Sequence, residues 1–266
     1  MTPPSPHVPP YGLVNWLGVW TFYAKEVRRF AKVSLQTIVA PMVTTLLFLA
    51  IFTLALGGAA KTIAGIPYAS FLMPGLVMAA VMQNAFANTS SSVLISKIQG
   101  NIVDVLMPPL TAGELTTGYA LAGMTRGIAV AIATVLCLWL FVPVALPAPW
   151  AVVVFGLFGA LLLSLIGLVT GVWSEKFDHV AVVTNFVVTP LAFLSGTFYS
   201  VEALPPFWHR VAHWNPFFYL IDGFRYGFVG HAEAPVEVGL ATLVIAILAL
   251  WALAHAMIAR GYKLKV

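Results

Sequence analysis

The sequence predicts an all-α membrane protein: six transmembrane helices, an N-terminal amphipathic interfacial helix, and a re-entrant external helical hairpin between spans five and six. Three observations carry this. Hydrophobic residues make up 61% of the 266 and charged residues only 8%, with a mean hydropathy of +0.96, so a soluble body of this size would lack the polar surface to face water. Several apolar runs reach the roughly 20 residues that a helix needs to cross about 30 Å of hydrocarbon. Those runs are continuous, not alternating, which selects helices over the strands of a barrel.

Residues 1–32 read as a cytoplasmic tail with an amphipathic helix, and 33–266 as one transmembrane domain. The opening MTPPSPHVPP is proline-rich and the basic cluster comes after the apolar residues, so the segment is expected to stay attached and not be cleaved as a signal. Trp16, Val19, Trp20, Tyr23, Val27 and Phe30 recur at three- and four-residue steps, with Lys25, Glu26, Arg28 and Arg29 interleaved. That pattern predicts a helix lying in the cytoplasmic interface.

The spans are predicted at 33–56, 68–92, 118–142, 150–173, 180–198 and 236–258, joined in part by Gly- or Pro-rich connections at 57–67 and 143–149. Between spans two and three, the segment 97–114 mixes Ile98, Ile102, Val105, Leu106 and Leu110 with Gln99, Asn101 and Asp104, then breaks at Met107-Pro108-Pro109. A short helix ended by proline fits; it could rest on lipid or dock into a soluble partner, and spacing leaves both open.

After span five, which Pro190 can bend, Leu204-Pro205-Pro206 stops any regular helix. The stretch beyond these prolines is too apolar for a free loop and too short for a full span, so 199–235 reads as helical pieces dipping into the outer leaflet. Asp222 and Arg225, three apart on one face, are expected to pair there. Phe217, Phe218, Tyr219, Phe224, Tyr226 and Phe228 would anchor the hairpin at the interface.

Lys25, Arg28, Arg29, Lys32, Lys97, Lys176, Arg260, Lys263 and Lys265 fall on one side of this map, and only Lys61, Arg210 and Arg225 on the other. The bias puts both termini in the cytoplasm. A pI near 9.3 then reflects topology and not nucleic-acid binding. Arg126, inside span three, is expected to snorkel to the cytoplasmic headgroups. Cys137 stands alone, which excludes an internal disulfide or a cysteine-built cluster. His209 and His213 share a face but have only Glu202 as a nearby third ligand, so no metal site is expected. The stretch GGAAKT at 57–62 lacks the glycine spacing of a phosphate loop, so the chain is expected to hold no cofactor and to catalyse nothing itself.

Asn84, Asn88 and Ser91 recur at helical spacing in span two, beside Gln83, Thr89 and Ser92; Asn185 and Thr189 stand one turn apart in span five. Such groups either line a path or hydrogen-bond neighbouring helices.

Asn215-Pro216 with Tyr219, Asp222, Arg225 and Gly230 downstream resembles the C-terminal signature of ABC-2 type exporter permeases, the class with nodulation-factor and drug or polysaccharide export subunits. PGL at 74–76, the cytoplasmic segment from Gly100 to Pro108, and LSGTFYS at 194–200 agree in order, so the resemblance covers nearly the whole chain. It implies an ABC-2, type V exporter-like fold in a bacterial inner membrane. It also implies a second permease protomer in a homodimer, and two copies of a separate ABC ATPase subunit that holds ATP and Mg. The substrate would be a lipid, a glycolipid or polysaccharide, or an amphiphilic drug.

By the same resemblance Gln99, Gly100, Asn101, Asp104, Met107 and Pro108 couple to the ATPase, and Lys25, Glu26, Arg28 and Arg29 belong to a connecting helix. Asn84, Asn88, Ser91, Asn185 and Thr189 line the pathway, while Asn215, Pro216, Tyr219, Asp222 and Arg225 shape the external lid. One departure is that relatives often carry acidic residues near Gln99 and a Glu near Asp104. A self-contained secondary transporter is the main alternative, but it would want mid-span acids that the six spans lack. A membrane-embedded transferase would need a convergent catalytic set.

Overall fold

The computed structural model describes residues 14–56, 62–63 and 65–264. The GGAAKT stretch, apart from Thr62, and Lys265 lie outside the described residues.

Helix α1 (Trp16–Ala31) is started by Asn15, whose side chain accepts from the Gly18 N–H, and carries Arg28 and Arg29 in its last turn, where cations complement the helix dipole. The first span opens with a wide π-helical turn, Leu35–Val39, and continues as α2 (Ala40–Leu56). A two-residue antiparallel ribbon, β1 (Thr62–Ile63) with β2 (Ile66–Pro67), leads into α3 (Tyr68–Ile98), the longest helix at 31 residues. Short α4 (Ile102–Leu106) joins α3 to α5 (Ala112–Trp139), and α6 (Pro149–Trp173) comes next. The fifth span is α7 (Phe177–Val183), a second π-helical turn at Thr184–Val188, and α8 (Thr189–Leu194). Helices α9 (Pro206–Trp214) and α10 (Pro216–Val229) form a hairpin before α11 (Val236–Ala259).

Six of these helical runs are long and apolar enough to cross a membrane. Their alternation gathers α1, α4 and the stretch after α11 at one end of the bundle, and the β ribbon with α9 and α10 at the other. Two boundaries differ most from those expected of the sequence. The third span starts at Ala112, not 118, because Thr111 and Glu114 make a reciprocal capping box. The second continues from 92 to Ile98, ending past Lys97.

The bundle is built around α3, which packs most extensively on α6 and then α5. Small residues permit this approach. A Cβ at Gly167 of α6 would run into the Phe86 carbonyl oxygen and Thr89 Oγ1, and one at Gly171 would press on Ser90. Hydroxyls then tie the three helices. Thr89 Oγ1 donates to the Ser164 carbonyl at 2.7 Å, and Ser164 Oγ to the Ala120 carbonyl at 2.9 Å. The first span, the fifth span and α11 lie outside this core and stay largely exposed.

Helix α10 is wedged among α3, α6 and α11 and is almost wholly buried. Gly223 lies against the Phe155 ring and Gly227 against Val152 and the Ala148 carbonyl, contacts that any Cβ would obstruct. Phe217, Phe224 and Phe228, expected as interface anchors, instead join the bundle core, because this close packing draws α10 inward, and Phe218 is buried in a smaller cluster with Val201, Ala212 and Ala234. The exposed rings of the hairpin belong to α9: Phe207, Trp208 and Trp214.

The α3–α6 seam generates a direct test. Gly167→Val should overpack it and cost about 1–3 kcal/mol, read as a lowered thermal midpoint in detergent; an unchanged midpoint would mean the seam has slack.

Candidate functional site

One stripe of α3 faces a cavity of about 790 Å³, lined at helical steps by Leu76, Ala79, Ala80, Gln83, Asn84, Ala87, Ser91 and Ile95. From Leu76 to Ile95 the stripe rises about 28 Å at 1.5 Å per residue, close to the thickness of the hydrocarbon layer. The facing wall is the first span, through Gln36, Thr37, Thr44, Thr45 and Phe48 among others, with Arg29 from α1 and Arg126 from α5 entering from the side.

The groove is polar toward the α4 end and aromatic toward the hairpin end. There Phe198 stacks on Phe52 at 4.8 Å and meets Phe193 at 5.1 Å and Phe48 at 6.0 Å.

Arg126 does not reach out to headgroups as expected. It sits near the midpoint of α5, because that helix starts earlier than 118, and its Nη2 donates to Asn84 Oδ1 at 3.1 Å. Its Nε is buried without a partner, and no carboxylate among the described residues lies within ion-pair reach.

Asn88, expected on the pathway, is fully buried beside the groove. Arg29 explains why: its Nη2 donates to the Asn88 carbonyl at 2.8 Å and to Asn88 Oδ1 at 3.0 Å, while its Nε pairs with Glu26 Oε2 at 3.1 Å. Ser92 Oγ donates to the same Glu26 oxygen at 2.6 Å. Glu26 is 1% exposed, so its charge is matched by one cation and one hydroxyl and α1 is fastened to α3. Phe22 adds an edge-to-face contact with Tyr119 at 4.7 Å. Lys25 and Arg28 remain exposed on the opposite side of α1.

Asn84 and Ser91 line the groove, and Asn185 and Thr189 lie off it. Asn185 is exposed and Thr189 half-buried. The fifth span meets the groove through Phe193 of α8, one turn beyond Thr189.

At the α4 end, Ile102 and Val105 are buried in a cluster with Leu115, Tyr119, Leu168 and Leu264. That anchoring leaves Gln99, Gly100, Asn101, Asp104, Met107 and Pro108 all exposed, Gly100 supplying a left-handed turn at φ +74°. Ile98, Val103 and Leu106 add apolar surface around Asp104. Glu114 links this segment to α1, since its carboxylate accepts from the Asn15 N–H at 2.6 Å and the Thr111 N–H at 2.7 Å. Nearby, Lys97 Nζ caps the end of α6 through the Val172 and Ser174 carbonyls, at 2.7 and 2.6 Å. The exposed pair Lys263–Glu175 closes at 2.7 Å; the hydrogen bond lowers the Glu175 carboxyl and raises the Lys263 ammonium from their ordinary values.

The expected Asp222–Arg225 pair does not form. Asp222 accepts from the Glu233 N–H at 3.0 Å and the Ala234 N–H at 3.0 Å, holding the loop before α11. Arg225 donates to the Phe71 and Gly196 carbonyls and lies 3.9 Å over the Phe71 ring, holding the turn after α8 against α3. Each buried charge is satisfied by backbone groups of different segments, so three-residue spacing does not bring them together.

Asn215 caps α10 through the Phe217 N–H and donates to the Leu191 carbonyl at 2.8 Å and Ser195 Oγ at 2.7 Å, with Pro216 at the first helical position. Tyr219 is half-buried beside Phe218. The His209 and His213 rings meet at a tilt of 37° with centroids 4.3 Å apart, and no cluster of three metal-ligating side chains occurs among the described residues.

Reasoning from sequence missed Gln36, Thr37, Thr44, Thr45 and the depth of Arg126. The signal was present in the first span, where polar or helix-bending residues recur at 36/37, 41 and 44/45.

A groove as long as a bilayer is thick, polar at one end and aromatic at the other within six spans, defines a multi-pass membrane transport protein. The chain belongs to the ABC-2 type transporter family, whose model matches residues 18–229. It is 38% identical over 251 residues to the inner membrane transport permease YadH of Escherichia coli (strain K12), covering 94% of this chain and 98% of that one. It is 26% identical over 261 residues to nodulation protein J of Rhizobium leguminosarum bv. viciae, covering 94% and 96%, and 24% identical over 246 residues to nodulation protein J of Neorhizobium galegae, covering 89% of each. The chain is thus an inner-membrane transport permease subunit.

The fastening of α1 can be tested by proteolysis. Glu26→Leu removes the partner of Arg29 and Ser92, so trypsin should cut after Lys25 and Arg28 several-fold faster than in the unaltered protein; equal rates would show that α1 is held by other contacts.

Proposed function

We propose that this permease is the membrane half of an ATP-driven exporter, with the groove along α3 as its substrate path and the α4 end as its seat on a separate ATP-hydrolysing subunit. The observation that carries the reading is one continuous chain of contacts. Exposed α4 surrounds Asp104 with apolar side chains, Glu114 ties that segment to the start of α1, and Glu26 and Arg29 tie α1 to the groove helix. A displacement at α4 is therefore transmitted to α1 and α3.

The surplus of Lys and Arg at the α4 end supports a cytoplasmic location for it and for both termini, where ATP is available. Two copies of the ATPase would hold ATP and Mg, and this chain no cofactor. A second permease protomer would complete the path against the exposed first and fifth spans. The π-helical turns interrupt the first span at its α4 end, Leu35–Val39, and the fifth span near its middle, Thr184–Val188, where wide turns serve as points of adjustment. Closure of the ATPase pair would repack the protomers around the groove, and the α9–α10 hairpin, entering from the outer side with Phe207, Trp208 and Trp214 in the interface, would act as the lid. An elongated groove with one polar and one aromatic end suits a lipid, a glycolipid or polysaccharide, or an amphiphilic drug.

Asp104→Arg tests the seat. The variant should insert and fold normally, yet lose an equimolar ATPase subunit on mild extraction from the native membrane, together with ATP-dependent export. Retention of both would remove α4 from the coupling role, and transport by the purified chain alone without ATP would overturn the exporter reading.

A further inference from the structure

We propose that the groove contains a binding site for the acidic head group of an amphiphile, with Arg126 and Arg29 as the cations and the aromatic end receiving the tail. The proposal rests on the exporter reading for why such a ligand would visit the groove, while the site itself rests on the side chains.

A guanidinium near the middle of a spanning helix is costly unless something offsets its charge. Arg126 has only Asn84, a neutral partner, and its buried Nε points at nothing. The other charged side chain on the cavity wall is Arg29, whose own partner is Glu26. Two guanidinium groups thus stand against one carboxylate. The two arginines are held by Asn84 and Asn88, four residues apart on α3, hence separated by about 6 Å along its axis. Arg29 commits its Nε and Nη2 to Glu26 and Asn88, and Arg126 its Nη2 to Asn84; the guanidinium N–H donors left over at that spacing match a phosphate or carboxylate, whose oxygens accept several charge-assisted hydrogen bonds.

The rest of the groove fits the remainder of such a molecule. From Asn84 toward the hairpin end the α3 floor is Ala80, Ala79 and Leu76, a run of about 12 Å without a charged group. Phe48, Phe193 and Phe198 close it. Small floor residues leave width for a hydrocarbon chain, and aromatic walls supply the apolar contact. A free inorganic anion would leave that half of the cavity unused, so the ligand is inferred to carry head group and tail together.

Calorimetric titration of the purified protein in dodecyl maltoside micelles tests this, with dodecyl phosphate as the probe, dodecylphosphocholine as the zwitterionic comparison and inorganic phosphate as the head group alone. Dodecyl phosphate should bind about ten- to hundredfold more tightly than either, the range for hydrogen bonds to charged groups. Arg126→Gln should abolish that preference and Arg126→Lys retain most of it. Asn84→Asp, which supplies an internal counter-ion and leaves Arg126 in place, should abolish it too, so the test survives if Arg126→Gln fails to fold.

Equal binding of the two dodecyl compounds by the unaltered protein, or a preference kept in both Arg126→Gln and Asn84→Asp, would overturn the site. Inorganic phosphate binding as tightly as dodecyl phosphate would overturn the amphiphile. Co-purification of an ATPase subunit is scored in parallel. The preference without an ATPase partner leaves the site standing and removes the exporter reading, while an ATPase partner without the preference does the reverse.

Discussion

Everything in this protein is arranged around the burial of α3. A 31-residue helix that carries Gln83, Asn84, Asn88, Thr89, Ser90, Ser91 and Ser92 would be a poor span alone, since polar groups in hydrocarbon need partners. The bundle supplies them asymmetrically. Thr89 and Ser90 sit on the face that glycines Gly167 and Gly171 of α6 approach, and Asn88 and Ser92 are taken up by Arg29 and Glu26 of α1. Only the face with Gln83, Asn84, Ala87 and Ser91 is left over, and that remainder is the groove. The groove is thus a consequence of how the other faces are satisfied.

The same logic sets the charges. Buried Asp222 and Arg225 each take backbone partners from loops on either side of α10, so the hairpin is locked to α3 and α11 at once. Glu114 and Glu26 do the corresponding work for α1 at the opposite end. Each of these groups joins segments distant in sequence. Arg126 is the exception, because it has a single hydrogen-bond partner and its buried Nε has none. A bundle that satisfies its other deep charges so completely leaves this guanidinium as the feature that asks for a ligand.

Much of the fold was legible in the sequence because the bilayer imposes its period on composition. Six apolar runs, the proline breaks at Pro108-Pro109 and Pro205-Pro206, and the amphipathic spacing of α1 come from local rules that tertiary packing did not override. The start of the third span was equally readable: Thr111 with Glu114 is a capping-box signature, and noticing it would have put Arg126 at mid-helix. The Asp222–Arg225 geometry was not readable. Spacing says that two side chains share a face, but not that Phe71 and Gly196, far apart in the chain, both turn carbonyls toward one guanidinium. Nor did composition reveal that α10 packs inward, which depends on Gly223 and Gly227 meeting Phe155 and Val152. On α3, period puts Asn84 and Ser91 on the groove face, but it does not show that Asn88 is taken up by Arg29. Asn185, within the wide turn at Thr184–Val188, and Thr189 just after it lie off the groove.

The central claim is that α3 carries one water-accessible stripe running most of its length. Single cysteines introduced by Ala80→Cys, Asn84→Cys, Ala87→Cys and Ser91→Cys, compared with Val77→Cys, Val81→Cys and Ala85→Cys in a Cys137→Ala background, would be reacted with a charged, water-soluble maleimide in intact membrane vesicles. The account predicts labelling at the first four positions and protection at the other three. Uniform protection, or labelling without helical periodicity, would contradict it.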